Sequence, residues 1–355
     1  MLSGVAKIVL GDQHSIILKQ DGSLWNTPFT LRGTRGVGKR YFKVMTSGVR
    51  AAAAGSAFSV VVKQDGSVWG TGRNYQGQLG DGTRKRKNKF VFVENFPGAK
   101  TVTAGIGHSM VVTQAGQVWA AGCNKYGQLG DGSTNDSTTF RQVMDTGAEA
   151  IAACDCHSIV LKQDGSVWAT GRNYNGQLGD GSKADRNRFV QVILRGVVNV
   201  AAGGYHSMVI KEDSSVWATG SNNYGQLGDE STNDRLEYVL VVPNGVMAIA
   251  AGRGHSMVLK QDGSVWATGY NLHGQLGDGS ATNTKAFVQV IFDGAELVAA
   301  GAYHSMVVKR DGSVWATGSN RYGQFGDGTT TSQTHFEKLA VKFRAGTGHH
   351  INIFN

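Results

Sequence analysis

The chain alternates short apolar runs with glycine-marked turns, and no stretch carries the 3.6-residue period of a helix. Residues 197–245 show one unit of the pattern. An apolar run at 198–202 ends at Gly203-Gly204. The next, at 206–211, reads His-Ser-Met-Val-Ile-Lys and is rich in β-forming types. A turn leads to Ser-Val-Trp-Ala-Thr at 215–219. A glycine-rich loop, Tyr-Gly-Gln-Leu-Gly-Asp at 224–229, then leads to a last run at 238–241. Four short strands separated by turns are predicted. In most copies the second and third strands meet at Asp-Gly, as at Asp164-Gly165 and Asp262-Gly263, which accepts the positive φ of a tight hairpin.

This unit recurs along the whole chain. Tryptophans stand at 25, 69, 119, 168, 217, 266 and 315, with gaps of 44, 50, 49, 49, 49 and 49 residues. A four-stranded sheet cannot bury both faces alone, and radial packing of repeated sheets buries them against neighbours. An all-β fold is therefore expected: a seven-bladed β-propeller of four-stranded antiparallel blades, one domain over 1–355. Each Trp is expected on the third strand, buried between blades. The recurring histidines, at 14, 108, 157, 206, 255 and 304, are expected to bond backbone within their own blades.

The repeated string is A-A-G-x-x-H-S, then D-G-S-V-W, then G-x-N-x-x-G-Q-L-G-D-G. It recurs from Gly105 to Gly132, Gly203 to Asp229, Gly252 to Gly279 and Gly301 to Gly328, with variants elsewhere. It resembles the regulator of chromosome condensation repeat family. That resemblance implies a seven-bladed propeller, in agreement with the count of Trp hairpins. Two copies depart from it. The first carries Thr27-Pro28-Phe29-Thr30-Leu31-Arg32-Gly33 in place of the last loop, and the second has Phe58 where most have His. Residues 341–353 repeat the first two strands. They are expected to form β-structure that closes the ring, unless the chain is cut from a longer array.

Net charge is +9 and unevenly placed. Residues 1–100 hold 16 Lys/Arg and 5 Asp/Glu (+11), leaving 19 and 21 (−2) for the rest. One basic cluster comprises Arg32, Arg35, Lys39 and Arg40, with Lys43 nearby. The other comprises Arg84, Lys85, Arg86, Lys87 and Lys89, in a loop that is nearly neutral in other copies. Such a loop can hold phosphates or an acidic protein surface, carry a nuclear import signal, or simply solubilise. Three cysteines without framework spacing suit a reducing compartment. With no apolar span and no evident signal peptide, a cytoplasmic or nuclear protein without membrane contact is expected.

Several local patterns imitate chemistry. Residues 33–40 nearly spell a phosphate-binding loop, but Arg40 stands where a Ser or Thr hydroxyl would hold magnesium. Cys154-Asp155-Cys156-His157 offers two thiolates without a second pair, a poor zinc site. The oxygen-rich run 131–136 lacks the distal Glu of a calcium loop. No catalytic constellation, metal site or cofactor is expected.

Function should sit where the copies differ. The two residues before each repeated His are Asp12-Gln13, Ser56-Ala57, Ile106-Gly107, Asp155-Cys156, Gly204-Tyr205, Arg253-Gly254 and Ala302-Tyr303. The resemblance places this loop on one propeller face near the channel. Tyr and Arg are favoured interface anchors, so Asp155, Tyr205, Arg253 and Tyr303 are expected to contact a protein partner. The leading expectation is a non-enzymatic interaction scaffold. The resemblance also implies an alternative, a guanine nucleotide exchange factor for a small GTPase, docked on chromatin or nucleic acid through the basic loops. Exchange in that family relies on a wedge inserted in one blade, for which the constant spacing after Trp119 leaves no room. A third alternative, from the same fold, is a sensor like the plant ultraviolet-B receptor. The matching face positions here are Tyr205, Gly254 and Tyr303, without Trp.

Overall fold

The computed structural model describes residues 4–27, 40–96 and 98–340. All named strands fall into seven four-stranded antiparallel sheets, each built from four strands consecutive in sequence. The blades span residues 5–45, 49–95, 99–144, 148–193, 197–242, 246–291 and 295–338, and no helix occurs among the described residues. The unit read from 197–245 folds as Val197–Ala202, His206–Lys211, Val216–Gly220 and Arg235–Val242. Its outer strand thus begins three residues before the apolar run at 238, because pairing of Gly220 with Arg235 extends the ladder into polar sequence.

The first strand of each blade faces the central channel, and the second is buried on both sides. Met208, Val209 and Ile210 illustrate this, since a neighbouring blade covers each face. The Trp of one blade packs against the core of the blade before it, as Trp266 does on Met208, Ile210 and Val258. Burial is less complete than expected. Trp25 is buried, but the other six rings are half-buried. Each of those half-buried rings except Trp119 is covered by the Lys at the end of the second strand, as Lys211 Nζ stands 3.7 Å from the Trp217 ring centroid. The rings lie near the rim of the interface, where an ammonium and its alkyl stem can complete the cover.

The interfaces between blades repeat one lock. Gly228 adopts φ +78°, and the Phe287 ring of the next blade lies so close that a Cβ would collide with it. The same apposition joins Gly80 to Phe140, Gly130 to Phe189, Gly179 to Tyr238, Gly277 to Phe336 and Gly326 to Tyr41. The last of these joins blade seven to blade one. Beside it run the cluster of Ile8, Ile17, Trp25 and Tyr41 with Met306, Val308 and Phe325, and a bridge from Arg40 to Asp327. Blade one is complete from N-terminal sequence, so the seam uses the ordinary interface. The segment 341–353, expected to close the ring, lies outside the described residues.

The histidines correct the expectation of bonds within a blade. His206 Nε2 lies 2.8 Å from Ser256 Oγ of the next blade, and that hydroxyl donates to the Gln226 carbonyl at 2.6 Å. With the serine proton committed to the carbonyl, Nε2 must carry the imidazole proton. The arrangement recurs at His108–Ser158, His157–Ser207, His255–Ser305 and, across the seam, His304–Ser15, where Ser15 donates to the Gln324 carbonyl. His14 Nε2 lies 3.0 Å from Ser59 Oγ of the next blade. Phe58 interrupts the series in blade two.

Candidate functional site

In a blade of consecutive antiparallel strands, the first and third connections share one end. Both loop families therefore open on one face. The third connection is stiffened from within. In blade five, Asn222 Oδ1 accepts from the Leu227 amide, while Asn222 Nδ2 donates to Asp229 Oδ1 at 2.8 Å. Gln226 Oε1 accepts from the Tyr224 amide. The invariant letters of G-x-N-x-x-G-Q-L-G-D thus hold the loop and leave its x positions pointing outward.

All four residues expected to contact a partner meet around the channel mouth. Arg253 Nε lies 3.6 Å from Asp155 Oδ2, and Arg253 Nη1 donates to the Tyr303 hydroxyl at 3.3 Å. Tyr205 completes the group, and its phenol also supports the guanidinium charge. Desolvation works against that charge, but Tyr205, Asp155 and Tyr303 leave the Arg253 pKa raised. Asp155 is almost wholly buried. Burial, opposed by Arg253 and reinforced by the charge of Asp12, pushes its carboxyl up to about 6. Asp12 lines the same mouth, and its pKa is raised by burial against the opposing pull of Ser56 and Arg253.

Residues of the third connection extend this group and were not anticipated. Tyr270 packs on Tyr224 with centroids 4.8 Å apart and on Tyr303 at 6.1 Å, and His273 meets Tyr303 at 5.0 Å. The Arg172 guanidinium lies over Tyr126 at 5.1 Å and Tyr205 at 5.8 Å. All occupy x positions, which vary from copy to copy as the residues before His do. Further out, Tyr75, Tyr174, Tyr224 and Tyr322 are 59%, 68%, 45% and 42% exposed.

The basic loop 84–89 also opens on this face, and its five cations differ in kind. Lys87 Nζ holds Asp81 at 2.8 Å and stands in register with Arg186 and Arg235, which hold Asp180 and Asp229 in the same way. Lys87 is thus part of the repeat. Arg84 donates to the Tyr75 carbonyl and reaches Asp136 at 3.5 Å, and Arg86 contacts Asn88. Lys85 and Lys89 are exposed. Arg40 is exposed beside its bridge to Asp327, while Arg32, Arg35 and Lys39, with the loop resembling a phosphate site, lie outside the described residues.

Other imitations of chemistry resolve into local structure. Cys123, Cys154 and Cys156 are free, half-buried thiols, and burial raises the pKa of each. Asp131 accepts from Ser133 N and Oγ and from Asn124 Nδ2, closing its own turn. Six of the seven indoles, all but Trp119, donate Nε1–H to the Ser two residues earlier. All seven lie on third strands away from the mouth.

Fold and loops define a seven-bladed propeller whose variable positions converge on one face. The chain belongs to the regulator of chromosome condensation (RCC1) repeat family. One form of the repeat matches residues 49–78, 99–128, 149–177, 197–226, 247–275 and 296–324, and another matches 65–112, 115–161, 164–210 and 213–259. No curated protein matches the sequence. Among solved structures it is similar to human WBSCR16, with TM-score 0.75 and 22% identity over 88% of this chain and 89% of that one. It is also similar to Prp20p of Saccharomyces cerevisiae, studied for its binding to Gsp1p and histones, with TM-score 0.72 and 22% identity over 81% and 76%. The complex of Kap60 with yeast RCC1 (Prp20) matches with TM-score 0.72 at 21% identity, over 81% and 74%. At such identities the likeness is one of fold.

Proposed function

We propose that this protein is a non-enzymatic scaffold that binds a protein partner on the face carrying the first and third connections. One observation carries the reading. Eight of the chain's ten tyrosines (75, 126, 174, 205, 224, 270, 303 and 322) fall in those connections, leaving Tyr41 and Tyr238 for the core. Tyrosine supplies large contact area with few rotatable bonds, and a rigid face limits the entropy lost on binding. Arg172 and Arg253 among the rings add the other favoured anchor type.

The test compares wild type with Tyr75→Ser/Tyr174→Ser and, separately, Tyr224→Ser/Tyr322→Ser, immobilised for capture from an extract of the native cell. The proposal expects proteins held by wild type and lost from a variant whose circular dichroism is unchanged. Identical capture by all three would overturn it. The fold likeness to Prp20p supports exchange on a small GTPase as a second reading, with the basic loop as an aid to an acidic partner. Acceleration of nucleotide release from a small GTPase would replace the scaffold reading with that one.

A further inference from the structure

One carboxylate of the channel mouth, Asp12, has no ion pair among the described residues. The first strands Val5–Leu10, Val49–Ala54, Ala99–Ala104, Ala148–Ala153, Val197–Ala202, Val246–Ala251 and Ala295–Ala300 enclose a cavity of about 250 Å³. Two carboxylates stand at its rim, Asp12 on blade one and Asp155 on blade four. Arg253, on blade six, pairs with Asp155, and the Arg172 guanidinium of blade four adds to the field on that carboxylate. Among the described residues, the Ser56 hydroxyl and the field of Arg253 offset the burial of Asp12. The corresponding rim positions on the remaining blades are Ser56, Ile106, Gly204 and Ala302, which carry no charge. Lys7 lines the cavity on strand Val5–Leu10, below the turn that carries Asp12, and is not among the groups that offset the burial of Asp12. No trio of metal-ligating groups occurs among the described residues.

We propose that the channel mouth receives a lysine or arginine side chain of the bound protein, its charged head between Asp12 and the Asp155–Arg253 pair. This rests on the reading of the face as a protein-binding surface. Below the rim the bore is walled by Ala53, Ala54, Ala104, Ala153, Ala251 and Ala300, which leave the space under the charged groups open. Tyr205 and Tyr303 stand around the entrance, and their rings favour a cation and reject an anion.

The probe is an acetylated, amidated peptide Ala-Arg-Ala, with Ala-Gln-Ala as its neutral control, titrated into the intact protein and followed by amide chemical shifts. The arginine peptide is expected to bind saturably, with shifts centred on residues 12, 56, 155 and 253. Asp12→Asn, of nearly equal shape, is expected to weaken it at least about tenfold. Arg253→Gln, which removes the competing cation, is expected to strengthen it. Equal binding of the two peptides, or unchanged affinity in Asp12→Asn, would overturn the inference. If Arg253→Gln does not fold, the Asp12 variant and the peptide pair still decide. The outer-loop variant Tyr75→Ser/Tyr174→Ser is expected to keep peptide binding while losing protein capture. Failure of the peptide with capture intact sinks only the side-chain inference, and unchanged capture in the tyrosine variants sinks only the face.

Discussion

Asp155 is the residue at which structure and pH are most directly linked. Its carboxyl keeps a proton to about pH 6 in the folded chain, against an ordinary value of 3.8. Between those values unfolding releases a proton, so stability falls as pH rises from about 4 to 6 and stays lower above. Asp155→Asn is therefore expected to stabilise the protein at pH 8 by on the order of 2 kcal/mol, with the gain vanishing near pH 4. Urea unfolding at the two pH values measures this, and an equal gain at both would show that the carboxyl charge is not the cause. A buried charge kept at a cost to stability is what a binding residue would show. Asp155, Tyr205, Arg253 and Tyr303 were legible in sequence as departures from a repeat. Tyr270, His273, Arg172 and Tyr126 carry the same signal in a second loop, hidden beside letters that only stiffen it. The ion pair itself was not legible, because Asp155 and Arg253 lie two blades apart and meet only once the ring closes.

At the scale of the element, the sequence pattern determined strands and turns closely, because each blade repeats its own local instructions. What it left open was the contact between blades. The imidazoles were expected to bond within a blade, yet each bonds the serine of the next, 45 to 50 residues away in every case but the seam. Sequence period alone cannot separate the two, since every copy with the histidine also carries the serine. The ring has a consequence for acid stability. Burial holds His14, His157, His206, His255 and His304 at about 3 and His108 at about 4, against 6.5 when unfolded. Below 6.5 the unfolded chain takes up protons that the folded ring refuses, so stability falls as pH drops. Each imidazole contributes about 1.4 kcal/mol per pH unit well below 6.5. His206→Phe copies what blade two already does with Phe58, which packs against Gly55 as His206 packs against Gly203. It is expected to fold and to lessen proton uptake at pH 5 by one, read from stability against pH. An unchanged slope would mean that His206 titrates normally. Gly203→Ala places a Cβ against the His206 ring and is expected to cost about 1–3 kcal/mol, as overpacked sites do.

At the scale of the whole molecule, the charge imbalance between the first hundred residues and the rest becomes a position on the propeller. Loop 84–89 projects from blade two at the edge of the tyrosine face, so a partner seated on that face can reach it. The five cations are not equivalent there. Lys87 is committed to Asp81, itself nearly buried, and its loss would strand a carboxylate that its partners hold below the usual range. Among the described residues, Arg84 makes a longer ion pair and Lys85, Arg86 and Lys89 make none. Changing these four to Gln is expected to alter stability by less than about 0.5 kcal/mol, whereas Lys87→Gln alone should destabilise by more. Duplex DNA is a defined probe of what the four can do. If they meet phosphates, log affinity falls linearly with log salt, by about 0.9 for each phosphate neutralised. The four-fold variant should then bind more weakly at low salt with a slope shallower by up to about 3.6, and Lys87→Gln should leave the slope nearly unchanged. Equal slopes for the four-fold variant and wild type would show that this loop does not meet phosphate, leaving its charge to an acidic protein surface or to solvent. Asp12, Asp155 and Arg253 lie on blades one, four and six, away from loop 84–89, so affinity for the arginine peptide should be nearly the same in both proteins.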